Sequence, residues 1–460
     1  ALGDLQGMVE KISLDLKGSG SALDGRMTLV APSLSGRGHK LEQVAADVKL
    51  RDGKTFHVAA RAQGFGSPLT LSGTASWGKK IDMNLEFKAT RLDLARLEAL
   101  FPELRELKPR GEASVAVTLK GDPGAPQISG SVSAPQIVLA GETLSKPVVK
   151  FAALRGNTLA VNAASLTWKG GVFSASGNVG GLGGKAVTLD LKGKGESLAL
   201  ENLAGAFPAL KSAGVKGAGA LTWSAKGTPE KLLVEGALFW KSLRALGQLE
   251  ARELEIRAAG RLAGGKPALE GPLTLQAARL AWAGAGVDRP VVALRAEGNR
   301  LVVEKGEGSV AGGALSLGGA VTLPGKPGEP EALDLQGSLR DLGLERLGKD
   351  LGLAVTLGGK GSVKFAVTGT PENPSFTLDG EFPLVTAEGV SLENTTVAVE
   401  GRREEIRLTS AKATVESVPL ALSGTFRPGA QGYVMNLTGE GKGLDLASLL
   451  RRVPALKDKD

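Results

Sequence analysis

Three turns in this sequence share one phrase, and that repetition limits the possible folds more than any other feature. The segments are Leu119-Lys-Gly-Asp-Pro-Gly-Ala-Pro-Gln-Ile-Ser-Gly130, Ala225-Lys-Gly-Thr-Pro-Glu-Lys-Leu-Leu-Val-Glu-Gly236 and Val367-Thr-Gly-Thr-Pro-Glu-Asn-Pro-Ser-Phe-Thr-Leu-Asp-Gly380. Each reads as strand, Gly-Asp/Thr-Pro turn, strand, glycine. Proline presets φ for the turn, and glycine supplies the positive φ that a tight reversal can need. A phrase that returns in this way marks a repeat array.

A second phrase precedes the first in each unit. It opens at Leu92 (Leu-Asp-Leu-Ala-Arg-Leu-Glu-Ala-Leu-Phe-Pro102) and returns at Leu198, Leu342 and Leu444. Leu94, Leu97, Leu100 and Phe101 fall on one helical face, so the spacing predicts a short amphipathic helix ended by Pro102 or Pro208. A third phrase comes after each turn, as in Phe151–Val161, Val292–Val302 and Val397–Leu408. The unit is therefore one short helix and roughly seven or eight strands. The expected boundaries are 1–91 (a partial repeat), 92–197, 198–341 (with an insertion), 342–443, and 444–460 as the start of another repeat.

The strand text alternates with period two. Val115, Val117 and Leu119 point one way, and Ser114, Ala116 and Thr118 the other. Val363, Phe365 and Val367 alternate with Lys364 and Ala366, and Leu420 and Leu422 belong to the same pattern. Such alternation gives a sheet with one apolar and one wet face. The expected class is all-β with short helices. Two architectures remain: a string of β-sandwiches of about 100 residues each, or one elongated antiparallel sheet curled into an open β-groove built from tandem repeats. Independent sandwiches need flexible polar linkers, whereas here the helix text leads into a strand within about ten residues. The groove is favoured. Aromatic residues make up only 4% of the chain, which suits a thin structure better than large compact cores.

Composition narrows function mainly by exclusion. The chain has no Cys and two His, His39 and His57, without metal-ligand spacing. No metal, cofactor or catalytic residue is expected. Gly-x-Gly occurs at Gly36-Arg-Gly38, Gly193-Lys-Gly195 and Gly439-Glu-Gly441 but never completes a dinucleotide fingerprint. Gly53-Lys54-Thr55 lacks the P-loop's first glycine, since Val48 stands in its place. No Gly-x-Ser-x-Gly elbow occurs, and the carboxylates are scattered, so the expectation is that the chain is not an enzyme. The net charge of +8 is spread singly among apolar residues and reads as wet strand faces. No nucleic-acid partner is expected, because single-strand binders place aromatics beside their cations. The five Trp residues, at 77, 168, 223, 240 and 282, read as strand packing. No run of 18 apolar residues occurs. The chain opens on Ala1 without Met, and the expectation is a piece whose targeting segment is missing.

The Gly-[Asp/Thr]-Pro turns at 121–123, 227–229 and 369–371, the Leu-x-Leu-x-x-Leu phrase, and the Leu-x-Leu-Ser-Gly-Thr strands at Leu69–Thr74 and Leu420–Thr425 resemble the AsmA-like family of bacterial envelope proteins, including its TamB-like and YhdP-like members. The resemblance covers nearly the whole chain. It implies a taco-shaped β-groove in the bacterial periplasm, held to the inner membrane by a segment absent from this sequence. It also implies a non-enzymatic role in carrying phospholipid or another acyl lipid between inner and outer membranes, supporting outer-membrane integrity, with membrane proteins as partners at either end. The lipid-contacting residues would then be Val115, Val117, Leu119, Val363, Phe365, Val367, Leu420 and Leu422. The alternatives are a structural or adhesive rod of tandem sandwiches, an envelope-protein assembly factor of the TamB type, or a glycan hydrolase formed by converging carboxylates.

Overall fold

Alternating side chains and frequent tight turns give antiparallel strands almost throughout. A computed structural model describes residues 6–443, apart from 20–22, 37–38, 79, 100–106, 155–156, 182–186, 205–210, 212, 264–265, 270, 283–284, 325–330, 354, 372, 403–404 and 430–431. The chain is all-β with a few short helices, and every strand pairing among the described residues is antiparallel. It divides into two compact units. The first holds Ala1–Leu198, Leu221–Val234 and Leu262–Lys266; the second holds Ala199–Ala220, Glu235–Arg261 and Pro267–Asp460.

Within the first unit the ladder runs as hairpin after hairpin from Lys11–Lys17 to Thr188–Ala199. Within the second it runs from Pro272–Gln276 to Gly432–Gly441 in the same manner. The three repeated turns form as the sequence predicts: Gly121, Gly227 and Gly369 all have positive φ, at 87°, 128° and 98°. Asp122 and Thr370 tighten two of them. Asp122 Oδ1 accepts the Gly124 N–H at 2.8 Å, and Thr370 Oγ1 accepts the Asn373 N–H at 3.1 Å.

The sequence boundaries at 91/92, 197/198 and 341/342 all fall inside strands: Ile81–Asp93, Thr188–Ala199 and Ala332–Gly343. Strand Ile81–Asp93 pairs directly with Arg110–Gly121, and Ala332–Gly343 with Leu357–Gly369. Neighbouring repeats therefore share a ladder at these two places.

The helical phrase differs from expectation. Its first two residues finish the preceding strand each time. The rest of the phrase forms a 3-10 turn at Leu94–Ala99, a single α-turn at Leu200–Leu203, and a two-turn α-helix at Leu344–Asp350. Leucines three apart suit either helix type, and only the third copy runs to two α-helical turns. Leu100, Phe101 and the copy at 444–454 lie outside the described residues.

One recurrent device was invisible in the sequence. Many long strands carry a β-bulge, and at five of them a non-glycine residue stands in the left-handed region. Gln43, Lys146, Arg289, Asp341 and Asn394 have φ between 48° and 56°, each inside a register shift. A bulge bends the strand and strengthens its twist, so each unit's sheet is bent at the same kind of place, hairpin after hairpin.

Candidate functional site

Antiparallel register decides which side chains share a face, because directly opposed residues point the same way. In the first unit one row reads Ile12, Leu29, Ala46, Ala60, Leu71, Phe87, Val117, Gly130, Phe151, Val161, Gly177, Leu191. No member carries a polar side chain. The row one residue away, on the opposite face, reads Ser13, Thr28, Asp47, Ala59, Ser72, Glu86, Thr118, Ser129, Ala152, Ala160, Asn178, Asp190.

The second unit repeats the arrangement. Its apolar row reads Leu273, Leu294, Val303, Gly319, Leu335, Val367, Phe376, Gly401, Ile406, Phe426, Met435. The opposite face carries Gln336, Ala366, Thr377, Glu400, Arg407, Thr425 and Asn436 in one row.

These apolar rows are half-buried almost throughout; Ile12 and Met435, on the first and last strands, are exposed at 62% and 61%. A second layer packed over the face would bury them. Glycine in a row makes room for an aromatic ring on the next strand. A Cβ at Gly130 would stand 2.6 Å from Phe151 Cζ, and one at Gly337 would collide with Phe365 and approach the Ser316 carbonyl to 2.6 Å. The rings thus lie across neighbouring backbone, and these two rows present no hydrogen-bonding side chain.

All eight residues expected to line a groove fall on these apolar faces. Val115, Val117 and Leu119 oppose Ala89, Phe87 and Leu85. Phe365 and Val367 oppose Leu378 and Phe376, and Val363 reaches Leu422 through Gly380, Val397 and Ala411. Leu420 is two residues from Leu422 on the same strand face. Their exposure differs, however. Leu422 is 38% exposed, while Val363 is only 4% exposed. Val363 sits in a core with Ala311, Leu342, Leu344, Phe382 and Val385, so the helix Leu344–Asp350 roofs it over. The expected wet partners Ala116 and Thr118 are also half-buried, because they are small and neighbouring long side chains flank them.

A second core gathers Leu200, Trp240, Leu243, Ala251 and Leu254 under the turn Leu200–Leu203. Trp240 is packed there and its indole N–H has no partner. Trp77, Trp168 and Trp282 end strands, whereas Trp223 and Trp240 lie inside them.

The polar faces are laced by exposed ion pairs. Arg26 donates to both oxygens of Asp47 at 3.1 and 2.7 Å, which holds the Asp47 carboxyl below the usual carboxylate range. Glu142 is lowered by the Trp168 indole N–H at 2.8 Å and then by Lys169. Such pairs each contribute little, but they keep this face wet. Among the described residues no group of three or more His, Asp or Glu side chains could hold a metal ion, and no helix is long and apolar enough to cross a membrane. His39 stacks at a tilt on Phe65 with 5.4 Å between ring centres. No protein-family model matches the chain, and no curated protein matches it either.

Proposed function

We propose that this chain is a non-enzymatic lipid-binding groove that carries phospholipid between the inner and outer membranes of a bacterial envelope and so supports outer-membrane integrity. One observation carries the reading: in each unit a row crosses at least eleven strands without a polar side chain and is left half-open. An acyl chain in water exposes methylenes at roughly 0.8 kcal/mol each. Laid along such a face it exchanges water for Val, Leu and Phe, while its headgroup stays wet. Nothing in a row can hydrogen-bond, so no position holds the chain more tightly than the next by polar contact. The periplasm, an inner-membrane attachment through a further segment, and membrane proteins at either end complete the proposal, as the AsmA-like turns and strands imply.

The test uses photo-crosslinking side chains at Val117 and Phe365 against Ala116 and Lys364, which point to the other face. Purified from a bacterial envelope, the first pair should capture lipid, identified by mass spectrometry, and the second pair should not. Equal capture on both faces, or none on either, overturns the proposal.

A further inference from the structure

On the wet face of the second unit, folding forces cations together. Arg252 and Arg279 stand directly opposite each other on adjacent strands, and Lys216 and Arg244 form a bridge with paired backbone hydrogen bonds of 2.8 and 2.9 Å. Like charges placed opposite each other across an antiparallel ladder destabilise it. All four line one cavity of about 670 Å³.

The carboxylates at hand are too few to cancel them. Glu250 takes Arg244 at 3.2 Å. Asp288 is shared between Arg279 at 2.9 Å and Arg346 at 2.6 Å. Lys216 and Arg252 have no ion-pair partner among the described residues. Arg279 is fixed in place: its guanidinium lies across Gly286, where a Cβ would stand 2.5 Å from its nitrogen. The cavity lies on the face away from the apolar rows. Leu243 and Ala251, the neighbours of Arg244 and Arg252 along their strands, point the other way and are buried in the core under Leu200. A local conflict of this kind, retained with two of the four cations left without a counter-charge, marks a functional place rather than a stabilising one.

We infer that this cavity binds a phosphate group, with Lys216 and Arg252 as its free cations and Arg244 and Arg279 as oriented donors beside them. Guanidinium donors match phosphate oxygens in pairs, and an ammonium adds a compact charge. The inference stands apart from the lipid groove, since acyl chains on the apolar face cannot place a headgroup here. A bilayer headgroup and a soluble phosphate share this chemistry, and two probes separate the two sources.

Inorganic phosphate is titrated calorimetrically into the full chain at low salt, and sedimentation with phosphatidic-acid vesicles is measured in parallel. The double variant Lys216→Ala/Arg252→Ala should weaken binding at least tenfold. The control Lys360→Ala/Lys364→Ala, which removes two exposed lysines elsewhere in the unit, should not. A phosphate signal lost in the double variant assigns a soluble ligand, and a vesicle signal lost there assigns a headgroup. Both changed positions are exposed, so in phosphate-free buffer the double variant should melt no lower than the wild type; Lys216→Gln/Arg252→Gln provides a second pair. Wild-type binding of neither probe, unchanged binding in both double variants, or an equal loss in the control overturns the inference.

Discussion

The two units carry the same apolar rows, yet among the described residues a helical segment closes a buried core over part of the face only in the second. In the second unit the helix Leu344–Asp350 and the turn Leu200–Leu203 each close a buried core over strand residues. In the first unit the corresponding element is a 3-10 turn, and the buried apolar residues of its described strands are mostly alanines: Ala31, Ala89, Ala113 and Ala225. The difference separates two jobs done by one kind of side chain. Where a helix lands, a strand leucine or valine becomes core; where none lands, the same residue remains accessible.

The sharpest way to break that comparison is a matched pair of truncations. Leu344→Ala, on the buried side of the roofing helix, should cost about 2–4 kcal/mol in denaturant unfolding, because it leaves a cavity among packed neighbours. Leu85→Ala, on the open row, should cost about 1 kcal/mol, since water already reaches it. Equal losses would mean that the first unit's face is covered too.

The glycine notches sharpen the comparison from the other side, because both units have them. Gly337→Ala and Gly130→Ala should each destabilise by about 1–3 kcal/mol, as the new methyl group must displace a phenyl ring and also meets a backbone carbonyl. A loss in one unit alone would show that the rows are not built on one plan.

The smallest expected effect is acid sensitivity. Asp47 in the first unit is held below its ordinary range by hydrogen bonding to Arg26, and Glu345 in the second by hydrogen bonding to Lys349. A carboxyl depressed in the folded state adds stability that is present above its unfolded value and is lost as pH falls through the folded one. Thermal melts should therefore show a shallow decline only below about pH 4. Asp47→Asn and Glu345→Gln should each flatten their share of it similarly, since both pairs are exposed.

Much of the strand plan was legible. Alternation such as Val115, Val117, Leu119 and the glycines of the Gly-Asp/Thr-Pro turns encode face and reversal locally, and a ladder of hairpins needs little else. The bulges were not legible, because their left-handed residues are Gln, Lys, Arg, Asp and Asn instead of the glycine that usually signals such a φ. Val363 could not be told from Val367 as text. One lies under the helix and the other does not, and that depends on where a neighbouring segment packs. The cationic cavity was hidden for the same reason. Lys216, Arg244, Arg252 and Arg279 are scattered along the chain, and only register brings them together.

The hairpin-after-hairpin ladder also has a consequence for how such a chain comes into being. Each long strand finds its partners in the segments just before and after it, so each pairing closes a short loop, and the entropic toll of closure does not grow along a ladder. Topologies rich in local contacts form quickly. A ladder wired this way can assemble in the order in which it is synthesised, each new hairpin templated on the last. Its span is then set by how many hairpins the gene supplies, and lengthening it requires no redesign of the strands already in place.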